Sequence, residues 1–146
     1  QINIGAAAEI NRIIVKDKAK QKTLKLVHVG STASFEAVGS VGYNVVKSAL
    51  AGYVRSLGRD LIKNKVIVTG ILPGGFIADG NAMDRLRKRN KRAYDKFIKT
   101  RLPRGVMGSV KEILPLLLFL CSSHSSMMGS CLVPIDGGEG KTYQVY

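Results

Sequence analysis

The sequence predicts an α/β fold in which parallel strands alternate with helices, and three observations carry that prediction. Two near-continuous apolar runs, Leu24–Val29 (LKLVHV) and residues 65–72 (KVIVTGIL), suit strands covered on both faces, as in a buried parallel sheet. Both runs end in turn-forming residues, Gly30 after the first and Pro73-Gly74 after the second. The segments between such runs repeat apolar residues at helical period rather than in alternation.

The elements follow in order. Residues 2–21 place Ile4, Ala7, Ala8, Ile10, Ile14 and Ala19 at helix-like spacing, with Glu9, Asn11, Arg12 and Lys16 between them. Leu24–Val29 is the first strand, and His28 within it reads as a strand residue with a local hydrogen bond. Residues 41–64 form a long helix whose apolar stripe is Val46, Leu50, Tyr53, Val54, Leu57 and Leu61. Ser48, Ala49, Ala51 and Gly52 beside that stripe permit close approach to a sheet and to a second subunit. Residues 65–72 are the next strand, closed by Pro73-Gly74-Gly75-Phe76. Residues 82–100 read as one basic helix with Leu86, Tyr94, Phe97 and Ile98 on its apolar side, broken by Arg101-Leu102-Pro103-Arg104. Ser109-Val110-Lys111-Glu112 is a capping box ahead of the apolar ILPLLLFLC helix. Pro115 falls past the first turn and predicts a kink or a delayed start. Residues 122–129 form a loop, and residues 131–135 the last strand, ending in Asp136-Gly137-Gly138.

Size and charge narrow the function. At 146 residues, 45% of them hydrophobic, the chain is one domain's worth and can bury a core. The longest apolar run, residues 113–121, is too short to span a bilayer, and no signal-peptide pattern follows Gln1. Cys121 and Cys131 lack metal-ligand spacing and sit in apolar sequence, which predicts reduced core thiols, no metal site and a cytoplasmic location. The net charge is 23 − 10 = +13. It is concentrated in residues 85–104, where ten Lys/Arg stand against Asp95. Such a block suits a polyanion, an acidic substrate or a solvated face. Few aromatic residues and no recognisable motif disfavour nucleic acid. A non-enzymatic module that binds nucleic acid or another polyanion through residues 85–104 is the alternative reading.

The chemistry lies in GSTASFEAVGSVGYNVVK, residues 30–47. Tyr43 and Lys47 are four apart, so on a helix they share one face. An ammonium so placed favours the phenolate of a phenol that ordinarily titrates near ~10, which makes a usable acid/base. Ser31, at the strand end, can hydrogen-bond the same substrate oxygen. Ser34 competes for that role from deeper in the loop.

A hydrophobic strand ending in Gly30-Ser31, Tyr43 twelve residues after that serine, Lys47, and Pro73-Gly74 after the next strand together resemble the short-chain dehydrogenase/reductase family. The serine-to-tyrosine gap here is one shorter than is usual there. The resemblance implies the C-terminal half of a doubly wound Rossmann-type parallel sheet with flanking helices. Residues 1–146 would be the catalytic and lid part of a single domain. The N-terminal dinucleotide-binding half is absent from this sequence, because no G-x-G-x-x-G phosphate loop occurs in it. The 146-residue chain alone is therefore expected to bind cofactor poorly.

The implied activity is an NAD- or NADP-dependent oxidoreductase interconverting a ketone and a secondary alcohol. Tyr43 would protonate the forming alkoxide, Ser31 polarise the carbonyl, and Lys47 support the tyrosine and hold the nicotinamide ribose. Asn3, 28 residues before Ser31, would anchor a proton-relay water. Pro73, Gly74, Phe76 and Ile77 would lie along the nicotinamide. The run PGGFIADGN has an extra glycine and no threonine, which leaves the Ile77 main chain and Asp79 as substitute cofactor contacts. The basic segment would be a lid favouring an acidic substrate, such as a sugar nucleotide or an acyl thioester. The implied assembly is a homodimer or homotetramer, and no membrane is involved.

Overall fold

The computed structural model describes residues 2–18 and 22–141, the side chains of residues 2 and 3 excepted. The elements run α1 (Ile2–Asp17), β1 (Leu24–Val29), α2 (Val41–Leu61), β2 (Val66–Pro73), β3 (Phe76–Ile77), α3 (Ala82–Arg89), α4 (Lys91–Arg101), β4 (Gly108–Ser109), α5 (Val110–Cys121) and β5 (Leu132–Ile135). β1, β2 and β5 form one parallel sheet in the order β1-β2-β5, the α/β architecture expected.

β2 has a strand on each edge and helices on each face, so all eight of its residues are buried. Successive side chains of a strand point to opposite faces. Val66 and Val68 pack with Leu26 of β1 and with Leu50 and Val54 of α2, and Ile4 and Val15 bring α1 to the same face. α5 packs on the other face. Its Leu120 is fully buried, and Lys25 of β1 reaches Ser125, just beyond the helix, with Nζ 3.1 Å from Oγ.

The helix ends follow local chemistry. Ser40 Oγ accepts from Tyr43 N at 3.3 Å and starts α2 at Val41. In α5 the Ser109–Glu112 capping box fixes the first turn, with Ser109 N donating to Glu112 Oε2 at 2.9 Å. The helix therefore starts at Val110 and runs through Pro115; of the kink or delayed start anticipated from that proline, the delay does not occur.

Other expectations need correction. α1 ends at Asp17, and residues 19–21 of the longer helix expected lie outside the described residues. The basic segment is two helices, α3 and α4, because Asn90 leaves the helical region (φ −150°) and its Oδ1 accepts from Ala93 N at 2.9 Å to cap the second. β3 pairs with β4 in a second small parallel sheet that two-residue strands did not announce. Both cysteines are free, but Cys121, the last residue of α5, is exposed, and Cys131 is only partly covered, so neither is a core thiol. Among the described residues there is no metal-binding cluster and no helix long and apolar enough to cross a membrane. Also among them, β1 pairs on one edge only, and Ile10, Ile13 and Ile14 of α1 are 55%, 47% and 40% exposed.

Gly58 marks the closest approach of α2 to the chain entering β5. A Cβ there would lie 2.7 Å from Ser130 N and 2.9 Å from Ser130 Cα, whereas one on Gly52 would meet nothing within 4 Å. Alanine is ordinarily better than glycine inside a helix by ~0.5–1 kcal/mol. Gly52→Ala should raise stability by that amount, and Gly58→Ala should lower it by ~1–3 kcal/mol through overpacking. Urea unfolding midpoints of the two variants check this, and shifts of the same sign would contradict the close approach.

Candidate active site

The site is built where β1 and β2 end. Val29 lies opposite Ile71, and Gly30 N donates to Ile71 O at 2.8 Å, which carries the parallel ladder one step past the strand. Gly30 has no room for a side chain: a Cβ would meet Leu72 Cδ2 at 2.7 Å and Ile71 O at 3.2 Å. Ser31 follows with extended backbone, and its Oγ accepts from Ala33 N at 3.2 Å to cap the short 3-10 turn Thr32–Ser34.

Side chains of the loop and of α2 then fasten one to the other. Asn44 Nδ2 donates to Ala33 O at 3.3 Å and also to Glu36 O. Ser34 Oγ donates to Lys47 O at 3.0 Å, and Ser48 Oγ donates to Ser34 O at 2.9 Å. Ser34 thus spends its hydroxyl on the helix, while Ser31 faces the cleft; this separates the two competing serines.

The cleft has a volume of about 460 Å³, and its walls include Ser31, Tyr43, Gly74, Phe76, Phe97 and Glu139. Tyr43 stands at it 45% exposed. One turn further along α2, Lys47 Nζ lies 5.8 Å from the centroid of the Tyr43 ring and donates to Val29 O at 3.3 Å. The ammonium is thereby held between the end of β1 and the phenol, in cation–π contact with the ring.

Of the residues singled out in the sequence, Ser31, Tyr43, Gly74 and Phe76 meet in this cleft, with Lys47 beside Tyr43. Pro73 and Ile77 flank its wall, Pro73 paired with Ile135 and Ile77 with Ser109. The Asn3 side chain lies outside the described residues. The Asp79 side chain is 101% exposed, lies 3.6 Å from Lys88 Nζ and is not among the residues that line the cleft.

The basic segment does not put its charge into the cleft; among the described residues no lysine or arginine lines it. Asp84 is buried and accepts from Lys88 at 2.6 Å, Arg87 at 2.8 Å and Gly80 N at 3.1 Å. Lys88 first, then the Gly80 amide and Arg87, hold its carboxyl at a pKa of about 2. Arg85, Lys88 and Arg89 line a separate groove on α3. Among the described residues the one charged group in the cleft wall is Glu139, whose carboxyl is pushed up by burial. Sequence reasoning missed it; its only signal was a charged residue directly after the Asp-Gly-Gly turn.

His28 belongs to a different network. Asn11 Nδ2 lies 3.0 Å from His28 Nε2 and 3.0 Å from the Tyr53 hydroxyl, and the His28 and Tyr53 rings meet edge to face at 5.9 Å. Burial pushes the imidazole down, toward the neutral form that can accept from the amide. This cluster ties α1, β1 and α2 together.

Residues 1–139 match the family model described as Enoyl-(Acyl carrier protein) reductase. The chain is 28% identical over 139 residues to 3-oxoacyl-[acyl-carrier-protein] reductase FabG of Aquifex aeolicus (strain VF5), covering 94% of this chain and 54% of that one. It is 28% identical over 138 residues to Dehydrogenase/reductase SDR family member 4 of Mus musculus, covering 94% and 48%. Among solved structures it is similar to a 3-oxoacyl (acyl-carrier-protein) reductase from Agrobacterium tumefaciens C58 with NADP bound. That likeness has a TM-score of 0.82 at 26% identity and covers 93% of this chain and 52% of that one. The chain spans about half the length of the curated relatives it matches.

Because the fold disfavours protonated His28, the unfolded chain takes up the proton first as pH falls below ~6.5. The stability involved is fully present above that pH and is lost as pH falls toward the depressed folded value. Urea midpoints between pH 7.5 and 5 should therefore decline in the native protein, with a shallower slope in His28→Gln. Equal slopes would contradict the assignment.

Proposed function

The chain belongs to the short-chain dehydrogenase/reductase family, and from that premise we propose that it carries the proton-transfer site of an NAD(P)-dependent oxidoreductase interconverting a ketone and a secondary alcohol. One observation supports this reading above the others. Ser31 and Tyr43 line one cleft at the carboxyl ends of β1 and β2, with the Lys47 ammonium over the phenol ring. Ligands of open parallel α/β sheets bind at those ends.

In the proposed reaction the Ser31 hydroxyl donates a hydrogen bond to the substrate carbonyl oxygen. The Tyr43 hydroxyl gives its proton to that oxygen as it becomes an alkoxide, and in the opposite direction the phenolate takes the proton back. The Lys47 ammonium, over the ring, would lie near the negative charge left on the Tyr43 oxygen. Asn3, on α1, would anchor a water that returns the proton. When bound, the nicotinamide supplies or accepts the hydride. Gly74 and Phe76 of the cleft wall would lie beside it, with Pro73 and Ile77 bounding the same loop, and Lys47 would also hold the ribose.

The glycine-rich pyrophosphate loop is not in this sequence. We place it in a second half of the same domain, which would cover the open edge of β1 and the apolar Ile10, Ile13 and Ile14 of α1. The substrate is proposed to be anionic, a sugar nucleotide or an acyl thioester. An acyl thioester is the substrate type named for the Aquifex aeolicus relative. Since the cleft wall carries no described lysine or arginine, the anionic group would lie outside it, toward residues 85–104. The working assembly is proposed to be a cytoplasmic homodimer or homotetramer packed through the small-residue face of α2.

In the complete protein, Tyr43→Phe should lower kcat by roughly 10²- to 10⁴-fold at an unchanged thermal midpoint. Ser31→Ala should lower kcat far more than Ser34→Ala does. Near-native turnover of Tyr43→Phe, or equal losses at the two serines, would count against the proposal.

A further inference from the structure

The cleft that holds Ser31 and Tyr43 also holds one carboxyl that no step of the proposed reaction uses. Glu139 follows β5 and the turn Asp136-Gly137-Gly138, whose two glycines have positive φ, 63° and 83°. That turn folds the chain back against the end of β2. The approach is close: a Cβ on Gly74 would lie 2.7 Å from Glu139 Oε2 and 2.7 Å from Asp136 Cβ. Gly75 N donates to Glu139 Oε2 at 2.5 Å, which fixes the carboxyl on the cleft wall. Among the described residues its other oxygen, Oε1, has no hydrogen-bond partner and no salt bridge. A half-buried carboxyl with an open acceptor, on the wall of a substrate-sized cleft, calls for a donor.

We propose that Glu139 is a specificity-determining residue whose free oxygen accepts a hydrogen bond from a hydroxyl of the substrate, so that the ketone reduced here carries a hydroxyl group near its carbonyl. This rests on the oxidoreductase reading above. The surroundings choose among ligands. A carboxylate in the wall disfavours an acidic group next to the carbonyl, consistent with an anionic group held outside the cleft. An ammonium would also donate, but the lid beside the cleft carries the basic block, and Arg101 already acts on Glu139 through space. A cation would be repelled on approach, whereas a neutral hydroxyl would not. Asp136 and Glu36 also face this carboxyl and, with burial, raise its proton affinity, which Arg101 and the Gly75 amide oppose.

The test measures kcat/KM of the complete protein, with its nicotinamide cofactor, on cyclohexanone, its 2-, 3- and 4-hydroxy derivatives and 4-aminocyclohexanone. The proposal expects at least one hydroxyketone to exceed cyclohexanone by about 10- to 100-fold, the range for a hydrogen bond to a charged group. In Glu139→Ala that preference should collapse, mainly through KM. Glu139→Gln, whose amide oxygen still accepts, should keep part of it. Absence of the preference in the native protein would overturn the proposal. So would a fall of equal size for every ketone in Glu139→Ala, because that would make Glu139 only a brace for Gly75. A preference for the amine would overturn the hydroxyl assignment. No turnover of any of these ketones would overturn the Glu139 proposal alone, whereas turnover of any ketone, an acyl thioester included, that survives Tyr43→Phe would overturn the parent reading while leaving hydroxyl selectivity measurable.

Discussion

Parallel pairing of β1 with β2 is the constraint from which the site follows. β2 is buried along its whole length, with Val66, Val68, Ile71 and Leu72 at 1% exposure or less, so its register is set by the packing of both faces. A slip of one residue would turn every side chain to the opposite face. With the register held, the Gly30–Ile71 hydrogen bond brings the two exits side by side, Ser31 next to the Pro73-Gly74-Gly75 turn. α2 then returns from one strand to the other, and its first turn, capped by Ser40, presents Tyr43. Asn44, Ser34 and Ser48 clamp the loop to the helix. The reactive groups thus inherit their positions from an apolar core that contains none of them.

The parts legible in the sequence are those that local pattern specifies. Long apolar runs gave away the buried strands, the Ser109–Glu112 box gave the start of α5, and the four-residue spacing gave the Tyr43–Lys47 pair. The parts that were hidden depend on contacts between distant residues or on one backbone angle. Asn90 interrupts the basic segment, but the apolar face resumes beyond it, so periodicity reads straight through the break. Asn11 meets partners 17 and 42 residues away. The choice between Ser31 and Ser34 rests on which hydroxyl the helix consumes, and Glu139 reaches the cleft only because two glycines reverse the chain.

Charge shows the same division between composition and placement. The net +13 is a property of the whole chain, and its densest block looked like a cleft-facing lid. In the fold much of that block is answered locally, Arg87 and Lys88 by Asp84, Lys91 by Asp95, and Arg104 by Glu112 at 2.5 Å. The exposed pairs, Lys91 with Asp95 and Arg104 with Glu112, add little stability, whereas the buried Asp84 ties Arg87 and Lys88 back onto α3. Phe76, Phe97 and Met83 make an apolar part of the cleft wall. The polar groups of the wall, Ser31, Tyr43 and Glu139 among them, stand beside that apolar surface.

The central claim is that Ser31 and Tyr43, with Lys47 beside the phenol, act on one substrate oxygen at the tips of β1 and β2. Its most direct test is a crystal structure of the complete protein with nicotinamide cofactor and a ketone bound. The ketone oxygen should lie within hydrogen-bond reach, about 2.6–3.2 Å, of both the Tyr43 hydroxyl and Ser31 Oγ, with Lys47 still beside the phenol ring. A ketone seated elsewhere, or a Tyr43 hydroxyl turned to solvent beyond reach of its oxygen, would contradict it.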